Sequence, residues 1–270
     1  MNTPRVGFVG LGNIGRPMAL RLAATDDIDL QVYDVAPAPV AELVAAGATA
    51  AGSVAELGVD VVCVMVRDDD QVRAVAADVP DDTLLVIHST VAPGTPAELA
   101  ATGRRVLDAP VSGGAMGAAD GSLAIMVGGA EADFAAARPV LEAMGCKVVH
   151  AGPLGSGTRM KLARNLIHFV AFTAVTEAQR LAEAADLDLA VLGEVVRHTD
   201  AITGGPGAIM YRTTTAPIAE DDFWHGVLAH VAALGEKDLG LAVALADELG
   251  VDVPLAREAL PRLAKGLGLR

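Results

Sequence analysis

The feature that most constrains this chain is a glycine turn that directly follows a short apolar run near its start. Residues 5–9 read Arg-Val-Gly-Phe-Val, and the turn is Gly10-Leu-Gly12-Asn-Ile-Gly15, with a helical pattern after it. A strand, a G-x-G-x-x-G turn and a helix in this order are typical of dinucleotide binding, because backbone N–H groups at the helix start face the pyrophosphate. The sequence therefore predicts a dinucleotide site that opens an α/β domain; an ordinary structural turn is the alternative.

A second apolar strand, Asp29-Leu-Gln-Val-Tyr-Asp34, ends in an acidic residue. Asp34 follows the turn at about the 20-residue spacing expected of the carboxylate that accepts a hydrogen bond from a ribose 2′-hydroxyl. This carboxylate would repel a 2′-phosphate, so the sequence favours NAD over NADP. Arg16, beside the turn, keeps NADP open as the alternative cofactor.

Strand-like apolar runs alternate with helical patterns up to about residue 150. Continuous apolar runs of this kind suit parallel strands that are covered on both faces of a sheet. The predicted helices include 40–46, 70–77 and 131–144. The predicted strands after the second are Asp60–Val66, Thr83–His88, Arg105–Asp108, Leu123–Gly129 and Lys147–His150. The alternation stops at Gly155, which indicates an α/β domain over residues 1–155.

Polar residues follow two of these strands at the edge where ligands bind in open α/β sheets. Ser89 and Thr90 follow one strand, and Ser112-Gly113-Gly114 follows Asp108-Ala-Pro-Val. A hydroxyl beside bare backbone N–H groups predicts a small cradle for a carboxylate, with an ordinary tight turn as the alternative. We expect the glycine-containing segment up to residue 121 to be flexible. His88 is a candidate base, and a structural role is the favoured interpretation.

The run from Gly155 to Asn165 predicts the start of a long helix. Lys161 and Asn165 lie four residues apart and so share one face of that helix. An ammonium on an otherwise apolar helix is costly to bury unless the site uses it. The alternative is a lysine that extends to solvent beside a solvated asparagine.

The second half of the chain shows only helical patterns, over residues 166–183, 189–198, 227–246 and 254–267. The first of these is apolar nearly all round, which is typical of a core helix in an oligomer. We expect His168, which shares a face with Lys161, to be a buried-core or interface histidine, with a catalytic role as the alternative. We expect the Phe223–His225 segment to form an oligomer contact, with the lining of the substrate pocket as the alternative. Tyr211 and Arg212 are candidates to close over a substrate, with a solvated loop as the favoured alternative for Arg212.

Composition excludes several classes of function. The formal charge of −14 and pI near 4.7 argue against nucleic acid and anionic membranes as partners. The start of the chain lacks a signal-peptide pattern and no apolar run reaches membrane-spanning length, so we expect a cytoplasmic protein. Cys63 and Cys146 lie in apolar surroundings without metal-ligand spacing, so we expect two buried free thiols and no metal site.

Taken together, three stretches resemble the β-hydroxyacid dehydrogenase family. They are Gly7-Phe-Val-Gly-Leu-Gly-Asn-Ile-Gly15, Asp108-Ala-Pro-Val-Ser-Gly-Gly114 and Gly155-Ser-Gly-Thr-Arg-Met-Lys-Leu-Ala-Arg-Asn165. Lys237-Asp238-Leu239 is similar to the family's second lysine motif. The resemblance implies an N-terminal Rossmann-type domain, 1–155, and an all-helical substrate and oligomerisation domain, 156–270, joined by a long helix that starts near Gly157. It also implies a homodimer or homotetramer.

The resemblance implies NAD(P)-dependent interconversion of a small 3-hydroxy acid and its semialdehyde or keto acid. Lys161 would be the acid/base and Asn165 would orient the substrate, with Thr90 beside the nicotinamide. The residues expected to bind substrate are Ser112, Gly113, Gly114 and Lys237. The residues expected to bind cofactor are Gly10, Gly12, Asn13, Ile14, Gly15, Asp34, Val66, Arg67, Thr90 and Lys237.

The sequence departs from the family pattern in ways that leave the substrate open. Ile87 and His88 stand where many relatives carry an acid, and Arg67 stands where relatives often carry a proline. An imine or ketimine reductase is one alternative, although relatives of that type usually lack the lysine at 161. A 6-phosphogluconate-type enzyme would need a basic phosphate pocket and a longer helical domain. A non-catalytic dinucleotide-binding module is the alternative from another class.

Overall fold

The structure, a computed structural model that describes residues 4–210 and 215–269, divides the chain into two units. The first unit, Met1–Arg164, is built around a β-sheet, and the second, Asn165–Arg270, is helical. The predicted α/β fold followed by a helical domain is confirmed. The domain boundary expected between residues 155 and 156 stays a prediction.

One sheet organises the first unit. Its strands are β1 (Arg5–Val9), β2 (Asp29–Tyr33), β3 (Thr49–Ala50), β4 (Val61–Val64), β5 (Leu84–Ile87), β6 (Val106–Asp108), β7 (Val111–Ser112), β8 (Ala124–Gly128) and β9 (Lys147–Gly152). The first six pair in parallel in the order β3-β2-β1-β4-β5-β6, which is the order typical of dinucleotide-binding sheets. Strand β8 pairs antiparallel with β6 and β7 and parallel with β9.

Helices cover both faces of this sheet, as the continuous apolar strands predict. They are α1 (Gly15–Ala23), α2 (Pro37–Ala45), α3 (Asp69–Asp78), α4 (Thr95–Ala100), α5 (Gly114–Asp120) and α6 (Glu131–Met144). Side chains alternate along the strands, so that Phe8 packs in one core with Met18 of α1. Val62 of β4 packs in the other core with Val72 of α3. The carboxyl ends of the parallel strands, where ligands bind in such folds, therefore belong to a sheet that is buried on both faces.

Two expectations about this unit are wrong. The segment after Gly113 is helix α5 rather than a flexible stretch, because left-handed glycines bound it on both sides and its Ala118 is buried in the core. Cys63 is buried as expected, but Cys146 is exposed. Cys146 lies in the turn between α6 and β9, where its thiol faces the carbonyl of Ser122.

Five α-helices form the second unit over its described residues, 165–210 and 215–269. The first of these helices begins before residue 165, in the sheet unit. They are α7 (Ser156–Ala184), α8 (Leu189–Thr203), α9 (Phe223–Leu249), α10 (Pro254–Ala259) and α11 (Leu263–Gly266). The helix predicted over 254–267 is split by a 3₁₀ turn, Leu260–Arg262, because Pro261 has no N–H to continue the ladder. Tyr211 and Arg212 lie outside the described residues.

The helical unit leaves many of its large apolar side chains exposed. A small buried cluster contains Leu228, Ala232, Ala264 and Leu267. His168 is half-buried and packs against the rings of Phe169 and Phe172, both of which are more than half exposed. Among the described residues, no helix combines the length and the hydropathy needed to cross a membrane.

Candidate active site

The glycine turn between β1 and α1 has two packed positions and one open position. A Cβ added to Gly10, where φ is +95°, would lie 2.2 Å from the carbonyl oxygen of Met65. One added to Gly15 would lie 2.0 Å from the carbonyl oxygen of Gly10, whereas one added to Gly12 would meet nothing within 4 Å. The space over Gly12 is what a pyrophosphate needs, so the turn fits a dinucleotide. Asn13 is exposed and Ile14 is half-buried beside it.

Asp34 is tied to this turn by one of its oxygens, and its other oxygen binds the backbone just after β2. Its Oδ2 accepts from the backbone N–H of Leu11 at 2.6 Å, and its Oδ1 accepts from that of Ala36 at 2.7 Å. The carboxylate therefore lies directly at the dinucleotide turn. Arg16, the residue that kept NADP open, forms an ion pair with Glu42 at 2.9 Å.

The ends of β4 and β5 are joined at the same edge of the sheet. The Oγ of Ser89 accepts from the backbone N–H of Val66 at 2.9 Å and donates to the carbonyl of Val66 at 2.8 Å. The next residues along each strand, Arg67 and Thr90, are exposed. The structure thus brings Val66 and Thr90 to adjacent strand ends. Sequence reasoning named Ser89 only as a polar residue and missed this bridge.

His88 is a structural residue in this arrangement. Its ring is buried, lies parallel to that of Phe8, and has Nδ1 2.8 Å from the carbonyl oxygen of Ala109. Because a carbonyl can only accept, Nδ1 carries the proton. Burial lowers the pKa of His88 to about 4. The ring is therefore neutral at physiological pH and enclosed in the core, which disfavours the role of a base.

Lys161 lies near the start of α7 and is 9% exposed. Its Nζ donates a hydrogen bond to the carbonyl oxygen of Val111 at 2.6 Å. Burial, and secondly the charge of Arg164, lower the pKa of Lys161. A lysine whose pKa is lowered by its surroundings can exchange protons closer to neutral pH.

The predicted carboxylate cradle begins one residue after the carbonyl that Lys161 contacts. Ser112 is half-buried at the end of β7, and Gly113 and Gly114 are exposed with φ of +138° and +64°. A Cβ at Gly114 would meet nothing within 4 Å. The contact between Lys161 and Val111 therefore brings the amine to the segment that carries the cradle.

Asp108 is a site residue whose role sequence reasoning missed. Its carboxylate is fully buried at the end of β6 and accepts hydrogen bonds from the backbone N–H groups of Gly155 and Thr158. The sequence signal was a charged residue at the end of an apolar strand, inside the Asp108–Gly114 motif. That pattern predicts that the carboxylate is buried, but it does not predict that Gly155 and Thr158 are its hydrogen-bond partners.

Asn165 and Lys237 belong to the helical unit. Asn165 is half-buried and follows Lys161 by one turn of α7. Lys237 lies in α9, where its Nζ is 2.8 Å from Oδ1 of Asp238 and its side chain is 61% exposed. The functional roles of both residues stay predictions.

Comparison with known proteins places this geometry in a family. Residues 5–152 match the NAD-binding domain of 6-phosphogluconate dehydrogenase. Residues 155–266 match the NAD-binding region of NADP-dependent 3-hydroxyisobutyrate dehydrogenase. The chain belongs to the β-hydroxyacid dehydrogenase family. It is therefore an NAD(P)-dependent hydroxy acid dehydrogenase that uses NAD or NADP as its cofactor.

Relatives of this dehydrogenase match it over nearly their whole length. The NAD-dependent L-serine dehydrogenase of Pseudomonas aeruginosa is 35% identical, over 95% of this chain and 90% of that one. The crystal structure of a Mycobacterium avium 104 protein classed as an oxidoreductase is 46% identical, with a TM-score of 0.93 over 98% of both chains. The Mycobacterium tuberculosis 3-hydroxyisobutyrate dehydrogenase with L-serine is 33% identical, with a TM-score of 0.67 over 97% of this chain and 93% of that one.

Proposed function

We propose that this dehydrogenase interconverts a small 3-hydroxy acid and its semialdehyde or keto acid, with Lys161 as the acid/base. The observation that carries the proposal is the amine of Lys161, which is buried and donates to Val111 beside the Ser112–Gly114 cradle. Two of the relatives are named for L-serine and for 3-hydroxyisobutyrate. Both compounds carry a carboxylate two bonds from the carbon that bears the hydroxyl, which suits a cradle and an amine on neighbouring residues.

The mechanism assigns one task to each group of this chain. The cofactor, held by the glycine turn and Asp34, supplies hydride-transfer chemistry when it is bound. Ser112, Gly113 and Gly114 hold the substrate carboxylate. In oxidation, neutral Lys161 accepts the proton of the substrate hydroxyl; in reduction, its ammonium donates that proton to the forming alkoxide. Asn165 orients the substrate and Lys237 lines the site.

Lys161 must be neutral to act as a base, and its burial favours that form. Removal of a positioned acid/base costs about 10²–10⁴-fold in rate. We therefore expect Lys161→Ala to lose turnover to this extent while cofactor affinity stays near that of the wild type. Lys147→Ala, an exposed lysine in the same unit, is the control. A Lys161→Ala enzyme that keeps more than about a tenth of the rate would contradict the assignment.

The reaction itself is tested by a substrate panel. Purified enzyme is mixed with 3-hydroxyisobutyrate, L-serine, 3-hydroxypropionate and the corresponding semialdehydes, and the absorbance of the reduced nicotinamide is followed with each cofactor. A cyclic imine in the same panel tests the imine reductase alternative. Turnover of a hydroxy acid supports the proposal, turnover of the imine alone supports the alternative, and binding without turnover indicates a non-catalytic module.

We further propose that NAD is the preferred cofactor. Asp34 presents a carboxylate at the turn, and Glu42 pairs with the Arg16 guanidinium that could otherwise approach a 2′-phosphate. Titration of both cofactors, followed by nicotinamide fluorescence, measures the two affinities. A preference of about tenfold or more for NADP would overturn this choice.

The assembly is proposed to be a homodimer or homotetramer built through the helical unit, in the cytoplasm. The helical unit exposes many large apolar side chains, which favours their burial against another chain. These exposed side chains include Leu166, Phe169, Phe172, Val191, Ile202, Phe223 and Leu241. Light scattering coupled to gel filtration gives the number of chains.

A further inference from the structure

Asp108 is a buried carboxylate to which the proposed mechanism gives no task. Its Oδ1 accepts from the backbone N–H of Gly155 at 2.7 Å, and its Oδ2 accepts from that of Thr158 at 2.6 Å. Both donors belong to the first turn of α7 or to the residue just before it. A carboxylate at this position is favourable because the start of a helix carries unpaired N–H groups and partial positive charge.

The start of α7 packs closely against the backbone around Asp108. A Cβ added to Gly157 would lie 2.2 Å from the carbonyl oxygen of Met126 and 2.6 Å from that of Asp108. A Cβ added to Gly128 would lie 2.4 Å from Oδ1 of Asp108. The first turn of α7 therefore lies directly against the backbone of β6 and β8, and the carboxylate holds it there.

Lys161 lies one helical turn beyond this anchored start. It is three residues after Thr158, so the two residues face the same side of α7, and both are buried. From there its Nζ reaches the carbonyl oxygen of Val111, three residues after Asp108. The short segment 108–112 thus binds the helix start through the Asp108 side chain and the amine through the Val111 carbonyl.

We propose that Asp108 is a positioning residue for Lys161. By fixing the first turn of α7 on the sheet, Asp108 sets the position of Lys161 relative to β6 and β7. It thereby holds the amine at the Val111 carbonyl, next to the carboxylate cradle. The catalytic consequence rests on the proposed function, whereas the placement of the amine can be measured without turnover.

A carboxylate meets this task better than its amide. Two acceptor oxygens serve two N–H donors, whereas an asparagine offers one acceptor and turns its NH₂ group towards the second donor. Asp108→Asn should therefore release one of the two bonds and let the helix start relax. Misplacement of a catalytic group by about 1 Å can cost about 10²-fold in rate, so we expect a fall in kcat of about 10- to 100-fold.

The decisive readout is the ionisation of Lys161 itself. Trace acetic anhydride labels the full-length chain over a range of pH, and mass spectrometry follows the Lys161 peptide against the exposed Lys147. If Asp108 positions the amine, Asp108→Asn lets it reach solvent and the pKa of Lys161 rises towards its ordinary value. If Asp108 acts only through its negative charge, loss of that charge disfavours the ammonium and the pKa falls further.

A second variant perturbs the same anchor without changing any charge. Gly155 has φ of +87°, so Gly155→Ala strains the residue whose N–H donates to Asp108. It should raise the pKa of Lys161 in the same direction, by less than Asp108→Asn does. Gly103→Ala is its control, because Gly103 has φ of +94° and open space around it.

Glu177→Gln is the matched control for Asp108→Asn. Glu177 is also buried, and its carboxylate accepts from the backbone N–H groups of Leu255 and Ala256 at the start of α10. This control should lower the melting temperature and leave the labelling of Lys161 unchanged. If it shifts the pKa of Lys161 as much as Asp108→Asn does, the effect is general destabilisation and the proposal fails.

The outcomes separate this inference from the proposed function. A raised pKa of Lys161 in Asp108→Asn and Gly155→Ala supports positioning, even if Lys161→Ala remains active and the acid/base role is lost. An unchanged or lowered pKa in both variants overturns positioning, even if Lys161→Ala is inactive. Cofactor affinity and melting temperature, measured on each variant, verify that the labelled protein is folded.

Discussion

The two units of this dehydrogenase bury their apolar side chains to different extents. In the sheet unit, two apolar clusters cover both faces of the sheet, and side chains such as Phe8, Val62 and Leu107 are fully buried within one chain. In the helical unit the buried cluster is small, and residues such as Phe169 and Leu241 are more than half exposed. The difference teaches that apolar content alone does not give a closed core: a second surface has to be available to cover it.

The first and largest expected effect tests whether another chain covers the helical unit. Val170 on α7 and Val44 on α2 are both helical valines, 49% and 45% exposed. An uncompensated charge buried in an interface costs about 3–5 kcal/mol, so Val170→Glu should dissociate the assembly and lower the melting temperature by many degrees. Val44→Glu should change neither. Sedimentation velocity and thermal melting are measured on both variants. If the two variants show the same association and melting temperature, the idea that another chain covers the helical unit fails.

The second effect tests whether the sheet unit depends only on its own core. His88 has a pKa of about 4 in the folded chain and about 6.5 when unfolded, so the unfolded state binds more protons between these values. Its contribution to stability is fully present above pH 6.5 and is lost as pH falls towards 4, by about 3 kcal/mol. His88→Asn keeps a donor for Ala109 and cannot titrate in this range.

Denaturant unfolding of wild type and His88→Asn at pH 7, 5.5 and 4.5 measures the stability that protonation of His88 removes. It is obtained by subtracting the two free energies of unfolding at each pH. The difference in free energy of unfolding between wild type and His88→Asn should decrease as the pH falls. It should do so at every protein concentration. A difference that stays constant with pH would mean that the His88 ring is not held neutral by burial. A difference that depends on protein concentration would tie the sheet core to the assembly.

The smallest effect uses two exposed ion pairs with the same spacing. Glu142 pairs with Arg138 on α6 in the sheet unit, and Glu258 pairs with Arg262 in the helical unit. Pairs of this kind contribute less than about 0.5 kcal/mol when solvent surrounds them. Glu142→Gln should stay within that limit by denaturant unfolding. A clearly larger loss in Glu258→Gln would place that pair inside an interface.

Local patterns in the sequence predicted most of the sheet unit. The strand over residues 5–9 and the helix over 131–144 appear with the expected bounds, because apolar periodicity and flanking glycines define them locally. The glycine turn was predicted because the spacing of its three glycines is a local pattern, although the carbonyl that packs against Gly10 belongs to the distant Met65. Helix α5 was missed because its glycines read as breakers, although the structure uses Gly113 and Gly121 to begin and end it.

Contacts between distant segments limited the prediction of the site. The sequence identified Lys161 and the Ser112–Gly114 segment separately, but the hydrogen bond that joins Lys161 to Val111 spans 50 residues. The bonds from Asp108 to Gly155 and Thr158 span a similar distance, and no local pattern encodes them. The exposure of Cys146 was wrongly predicted because an apolar stretch does not show which residue of the turn between α6 and β9 reaches solvent.

The hydrogen bonds of Asp34 set a constraint for anyone who wishes to retool this enzyme for the other coenzyme. Both carboxylate oxygens accept backbone amides, from Leu11 and Ala36. A basic side chain in place of Asp34 could pair with a 2′-phosphate, but it would leave the backbone N–H groups of Leu11 and Ala36 without their acceptor. Libraries that vary Asp34 alone should therefore yield poor binders of both coenzymes, and a successful switch must rebuild the loop after β2 together with the acid.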